Sequence, residues 1–186
     1  MTKRMTALEF LALEPNGVRD ELVRGEVIVN PSPSLGHSYV VTRLLLLLGV
    51  HADENGLGEI LFNLDAYFGP DDVRRPDLLF YVAAQQHVLS ADEKPHEPPD
   101  LCVEVLSPPT IQYDRTEKFD LYQAAGVRFY WIVDPMERTL EAYKLVNGIY
   151  VLSGHGSGSA VLKLPPFEDL EIPLATLWRP TIPTQP

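Results

Sequence analysis

Short apolar runs separated by clusters of Gly, Pro, Asn and Asp dominate the chain, and segments with helical spacing interrupt them at three places. Thr6-Ala7-Leu8-Glu9 has the spacing of a capping box and predicts a short helix to about Leu13, ended by Pro15-Asn16-Gly17. Asp20 to Asn30 reads as two strands hinged at Gly25. After the Pro31–Ser34 loop a long helix is expected from His37 to about Asn55, stopped by Gly56. That helix is apolar nearly all round near Leu44–Leu48, which predicts burial. Strand-like runs follow at 57–63, 65–68 and 78–83, with Gly69-Pro70-Asp71-Asp72 as a turn and 90–100 as a polar surface loop. Leu101–Leu106 is an apolar strand broken by Ser107-Pro108-Pro109. Asp114 to Ala125 is a helix closed by Gly126, and Val127–Val133 is another strand. Thr139–Val146 and Ile149–Leu152 pair across Asn147-Gly148, the strongest hairpin signal in the chain, and Gly154–Ser159 reads as a flexible loop.

No repeat and no boundary interrupts this pattern. A single domain over 1–186 is expected, with its core at about 6–178 and a loose proline-rich tail at 180–186. Its class is α/β (α+β): a central mixed sheet flanked by a long and a shorter helix, with an N-terminal and a C-terminal hairpin.

Composition narrows the function classes. At 186 residues, 45% hydrophobic and 22% charged, the chain can bury a full core. Its longest apolar run, Leu44–Val50, is too short to cross a bilayer, and no apolar stretch follows Met1-Thr2-Lys3-Arg4. Neither a membrane partner nor a secretory leader is therefore expected. The single cysteine, Cys102, has no internal partner and suits a reducing cytoplasm. A net charge of −11 argues against tight non-specific binding of nucleic acid by phosphate neutralisation. Only Arg74-Arg75 and Arg115/Lys118 form local basic pairs. A bound divalent metal would offset part of that negative charge.

The candidate chemistry begins with Glu104, a glutamate in the middle of an apolar strand. A buried ionised carboxylate needs a cation, a donor cluster or solvent. Alternation puts Cys102, Glu104 and Leu106 on one face of the strand, opposite Leu101, Val103 and Val105. Asp77 enters its own strand after Pro76, so the two carboxylates converge if these strands are neighbours. Carboxylates about 4 Å apart repel by roughly 4 kcal/mol at an effective dielectric of 20, so they share a proton or bind a cation. Hard oxygen ligands with open positions suit Mg²⁺ or Mn²⁺. Lys118 lies four residues after Asp114. It is either half of an exposed ion pair or an ammonium aimed at a scissile phosphate. Tyr113, Tyr122, Tyr130 and Trp131 read as core side chains more readily than as base-stacking ones. No nucleophile elbow surrounds Ser34 or Ser107, no phosphate-cradling glycine loop precedes a helix, and no Cys/His zinc pattern exists.

Several stretches together resemble the Uma-two-like family, which is classed with restriction endonucleases of the PD-(D/E)XK superfamily. They are Pro76-Asp77-Leu78, Glu104-Val105-Leu106-Ser107-Pro108, Asp114-x-x-x-Lys118 and residues 122–135. Glu21-Leu22-Val23-Arg24-Gly25-Glu26, followed by Ser32-Pro33 and His37, also matches in order. The resemblance spans about residues 6–155. It implies a restriction-endonuclease-like core with Asp77 and Glu104 as metal ligands. The superfamily's commonest lysine position is here Leu106, so Lys118 on the following helix becomes the substitute. Glu26 is the expected third acid, with His37, Glu21 and Asp114 as accessory groups. The plainer alternatives are solvent-facing hairpin charges for Glu21 and Glu26, and a helix-start residue for His37.

The resulting expectation is an Mg²⁺- or Mn²⁺-dependent endonuclease acting on DNA through Asp77, Glu104 and Lys118. Duplex cleavage would favour a homodimer or higher homo-oligomer. The alternative is a catalytically inactive binding or scaffold domain on a nuclease fold.

Overall fold

The computed structural model describes residues 4–13, 20–89 and 95–180. Helix α1 (Ala7–Leu11) opens with the expected capping box: the Glu9 amide donates to Thr6 Oγ1 at 3.2 Å and the Thr6 amide to Glu9 Oε2 at 2.8 Å. Strands β1 (Asp20–Val23) and β2 (Glu26–Val29) turn through Arg24 and Gly25, both at positive φ. Helix α2 (Leu35–Glu54) follows, then β3 (Gly58–Phe62), β4 (Ala66–Gly69), β5 (Asp72–Arg74) and β6 (Leu78–Val82). Strand β7 (Leu101–Val105) leads into helix α3, residues 111–124, and then β8 (Phe129–Asp134). The chain continues through β9 (Thr139–Val146), β10 (Ile149–Ser157), β11 (Val161–Leu164) and β12 (Phe167–Pro173).

A six-stranded sheet in the order β10-β9-β8-β7-β6-β3 forms the centre. Its β7–β8 pair is parallel, because α3 crosses between the two strands, and its other pairs are antiparallel. The mixed central sheet with flanking helices and hairpins is as expected. One face packs on α2: Val40, Leu44, Leu48 and Ala52 meet Leu101, Val103, Val105 and Trp131. The other face packs on α3, where Tyr122 and Tyr130 meet Cys102, Leu106 and Ile132. The alternation read along 101–106 therefore holds. A smaller antiparallel sheet, β2-β1-β5-β4, sits beside it and encloses Leu22 and Val73 with Ala7 and Phe10 of α1.

Four expectations change. Helix α2 is buried along one stripe only, and Leu46 and Val50 are more than half exposed. It is long and apolar enough to cross a membrane by length and composition alone, but in this fold its buried stripe covers the sheet. The turn expected at Gly69–Asp72 is followed by a strand that was not expected: β5 pairs with both β1 and β4. The expected Gly154–Ser159 loop is mostly strand, with β10 running on to Ser157. Both glycines lie under leucine side chains: a Cβ on Gly154 would meet Leu164 Cδ2, and one on Gly156 would lie 2.8 Å from Leu162 Cδ2, so either leucine would have to shift. Finally, β11 and β12 occupy a stretch where no element was expected. The tail expected at 180–186 lies almost wholly outside the described residues.

Candidate active site

The register of the central sheet brings the two carboxylates together. Strands β6 and β7 pair with Leu78 opposite Val103, so Asp77 comes opposite Glu104. Both side chains line a small cavity of about 50 Å³, which Glu21, His37, Asp114 and Lys118 also reach. All six are buried.

Lys118 is the centre of charge. Its Nζ lies 2.9 Å from Glu104 Oε2, 3.0 Å from Asp114 Oδ1 and 4.0 Å from Glu21 Oε1. Burial alone would lower its pKa, but Glu104, Glu21, Asp114 and Asp77 together push it well above the usual lysine value. Lys118 is therefore an ammonium and a hydrogen-bond donor, not a base. Burial drives the Glu104 carboxyl well above the ordinary range against the pull of Lys118, and the charges of Asp114 and Asp77 add to the rise. Its other oxygen accepts a hydrogen bond from Tyr122 Oη at 2.7 Å. Asp77 behaves differently. Burial opposes its charge, but the hydrogen bond from His37, the nearby His37 and Lys118, and the Val105 amide hold its pKa below the usual value. The His37 Nε2 and Val105 N contacts to Asp77 Oδ2 are 3.0 and 2.9 Å. Two neighbouring carboxylates are thus tuned in opposite directions, an arrangement that separates roles.

The local structure explains these positions. Helix α3 is α-helical at Ile111–Tyr113 and Phe119–Ala124, but Asp114–Lys118 between them widens into a π-turn. Such turns re-aim side chains and are frequent at functional sites. Tyr130 Oη donates to the Asp114 carbonyl at 2.9 Å and Thr116 Oγ1 to the Gln112 carbonyl at 2.6 Å, satisfying carbonyls in and beside the widened turn. Leu106, at the position where the lysine is commonest, packs in the apolar layer with Tyr122 and Tyr130, while Lys118 reaches Glu104 from the helix.

One expectation about the acids needs correction. Glu26 does not approach the site. It stands on the exposed edge strand β2, 4.0 Å from Arg4, with 68% of its side chain accessible. Glu21, one strand inward, is the acid that enters. Its Oε1 accepts from the Arg75 amide at 2.9 Å, and its buried Oε2 has no hydrogen-bond partner among the described residues. The local basic pairs are engaged with acids. Arg74 bonds Asp72 at 2.6 Å, Arg75 bonds Asp65 at 2.6 Å, and Arg115 holds Glu141 through both terminal nitrogens. Tyr122, read as a core residue, also belongs to the site. Its spacing was the available signal, because Asp114, Lys118 and Tyr122 recur every four residues along one helix face.

The oxygen-rich donor set and the orphaned Glu21 Oε2 fit a hard divalent cation in chemistry. Among the described residues, however, no three His, Cys, Asp or Glu side chains stand grouped to hold a metal ion. In this arrangement the Lys118 ammonium is the cation that the acids share.

The profile of the Uma2 family, described as "Putative restriction endonuclease", matches residues 7–175. The chain belongs to the Uma2 family. Membership places it among nucleases, hydrolases that act on nucleic acid. In fold it is similar to a crystal structure described as "a putative nuclease belonging to DUF820" from Anabaena variabilis ATCC 29413. The TM-score is 0.76 at 21% sequence identity, covering 94% of this chain and 97% of that one. No curated protein matches the chain. The Uma2 family and this likeness agree on a restriction-endonuclease-like core, and the buried acid–lysine cavity lies within the matched span.

Proposed function

We propose that this Uma2 protein is a metal-dependent endonuclease that hydrolyses phosphodiester bonds in DNA, with Asp77, Glu104 and Lys118 as its catalytic residues. The observation that carries the reading is the convergence of Glu21, Asp77, Glu104 and Asp114 on one buried lysine. Restriction-endonuclease-like proteins generally use divalent metals. Asp77, Glu104 and Glu21 would hold Mg²⁺ or Mn²⁺, which when bound lowers the pKa of a water and offsets charge developing on the phosphate.

The chain's own residues do the rest. Asp77 is kept ionised and is oriented by His37 and the Val105 amide, so His37 acts as a positioning residue. Lys118, held protonated, donates to the attacking water or to a phosphate oxygen as negative charge builds there. Tyr122 fixes the Glu104 carboxylate from the apolar side. Asp114 holds Lys118 at 3.0 Å and steers it across the cavity.

A cleavage panel of supercoiled, linear and single-stranded DNA with Mg²⁺ or Mn²⁺ tests this reading. Glu104→Gln, prepared identically, should fall to background while keeping its fold, and Lys118→Ala should fall with it. Cutting that persists in Glu104→Gln would refute the assignment. One observation favours a second reading, an inactive nuclease-fold binding domain: no three-ligand group is assembled among the described residues. That reading predicts no cutting by the wild type and no rise in Tm on adding Mg²⁺.

A further inference from the structure

Beside the acidic cavity lies a larger one of about 250 Å³, and His37 and Asp77 line both. Phe62 borders it from the edge strand β3, with 58% of its surface exposed. Phe62 pairs with Leu78, the residue after Asp77, and Phe62 and Asp77 both line the cavity. Pro33 and Val41 add apolar surface, and Ser38, Thr42 and Asn63 bring polar atoms to its rim.

Charge limits what this cleft can hold. No Lys or Arg lines it among the described residues. In the acidic cavity the only ones are Lys118 and Arg75, each already paired to carboxylates. A chain of net charge −11 therefore has little here with which to neutralise a run of phosphates. The face of a nucleobase carries no net charge, and an aromatic ring binds it whatever the sequence. A base can reach Phe62 only when it is out of a duplex stack.

We propose that this cavity is a nucleobase subsite: an unpaired base flanking the scissile phosphodiester stacks on Phe62, which makes single-stranded or locally unpaired nucleic acid the substrate class. The proposal rests on the nuclease reading above and is testable without cleavage. Binding of a labelled oligothymidylate, the same strand with one abasic position, and a hairpin duplex would be measured in EDTA for wild type, Phe62→Ala and Phe62→Trp.

The single strand should bind wild type more tightly than the duplex. Phe62→Ala should lose about five- to 150-fold, and Phe62→Trp should retain affinity. The abasic strand should bind wild type more weakly than the intact strand, and should show little further loss in Phe62→Ala. No single-strand binding by wild type, duplex preference, or equal binding by Phe62→Ala would overturn the subsite. So would a shift in sedimentation of Phe62→Ala with binding unchanged, which would assign the face to self-association. Metal-dependent cutting that is lost in Glu104→Gln but unchanged in Phe62→Ala would keep the nuclease and remove the subsite. Stacking without any cutting would do the reverse.

Discussion

At Lys118 one ammonium serves three buried carboxylates, so its contribution is cooperative. Removing it leaves Glu104, Asp114 and Glu21 without their shared cation. Breaking a buried pair from one side costs about 3–5 kcal/mol. Lys118→Met keeps the length of the side chain and removes the charge, and it should lose stability of that order in urea denaturation near neutral pH. Adding Glu104→Gln should cost less than the two single losses combined, because the contact that the second change would break is already gone. Additivity within about 0.5 kcal/mol would mean that the 2.9 Å contact carries little energy. Glu104 was legible in the sequence because an apolar strand cannot bury a glutamate without a partner. Asp77 was legible once β6 and β7 were neighbours. The opposite pKa shifts of these two acids were not legible, since they depend on His37 and Lys118 arriving from two different helices.

Element by element, the misreadings share one cause: a strand's place in a sheet is not a local property. Glu21 and Glu26 carry the same hairpin pattern, and only the presence of β5 decides between them. With β5 paired to it, β1 becomes an inner strand with Glu21 and Leu22 both buried, while β2 is left at the edge, wholly exposed. Ending the reading of this stretch at the Gly69–Asp72 turn, with no strand after it, hid that distinction. The widening of α3 at Asp114–Lys118 was equally hidden, because it depends on carbonyl partners such as Tyr130 that come from another strand. The glycines of β10 are the third case. Gly154 and Gly156 looked like loop residues, but they leave room for Leu164 and Leu162 to lie across the strand. Leu164 is buried and cannot yield freely. Gly154→Ala should therefore destabilise by about 1–3 kcal/mol as overpacking, read by denaturant midpoint. An unchanged midpoint would mean that Leu164 repacks without cost. By contrast, the Asn147-Gly148 hairpin and the Thr6/Glu9 capping box were readable because their determinants lie within four residues.

For the whole molecule, the question is how an acidic protein of a nuclease family holds a polyanion. Its local basic pairs are spent internally: Arg74 on Asp72, Arg75 on Asp65, Arg115 on Glu141. Among the described residues, Lys118 and Arg75 are the only Lys or Arg side chains that line the acidic cavity, and none lines the cleft beneath Phe62. Counterion release should therefore contribute little to binding. For single strands, log K falls with log salt at about 0.7 per phosphate neutralised, so two cations give a slope of about −1.4 or shallower. Titrating oligothymidylate binding across a NaCl series measures this directly. A shallow slope would agree with affinity drawn from stacking on Phe62, which salt screens weakly. A slope several times steeper would require cations drawn from elsewhere on the surface or from a second copy of the chain. In that case the strand would follow a path other than the one from Phe62 to Lys118.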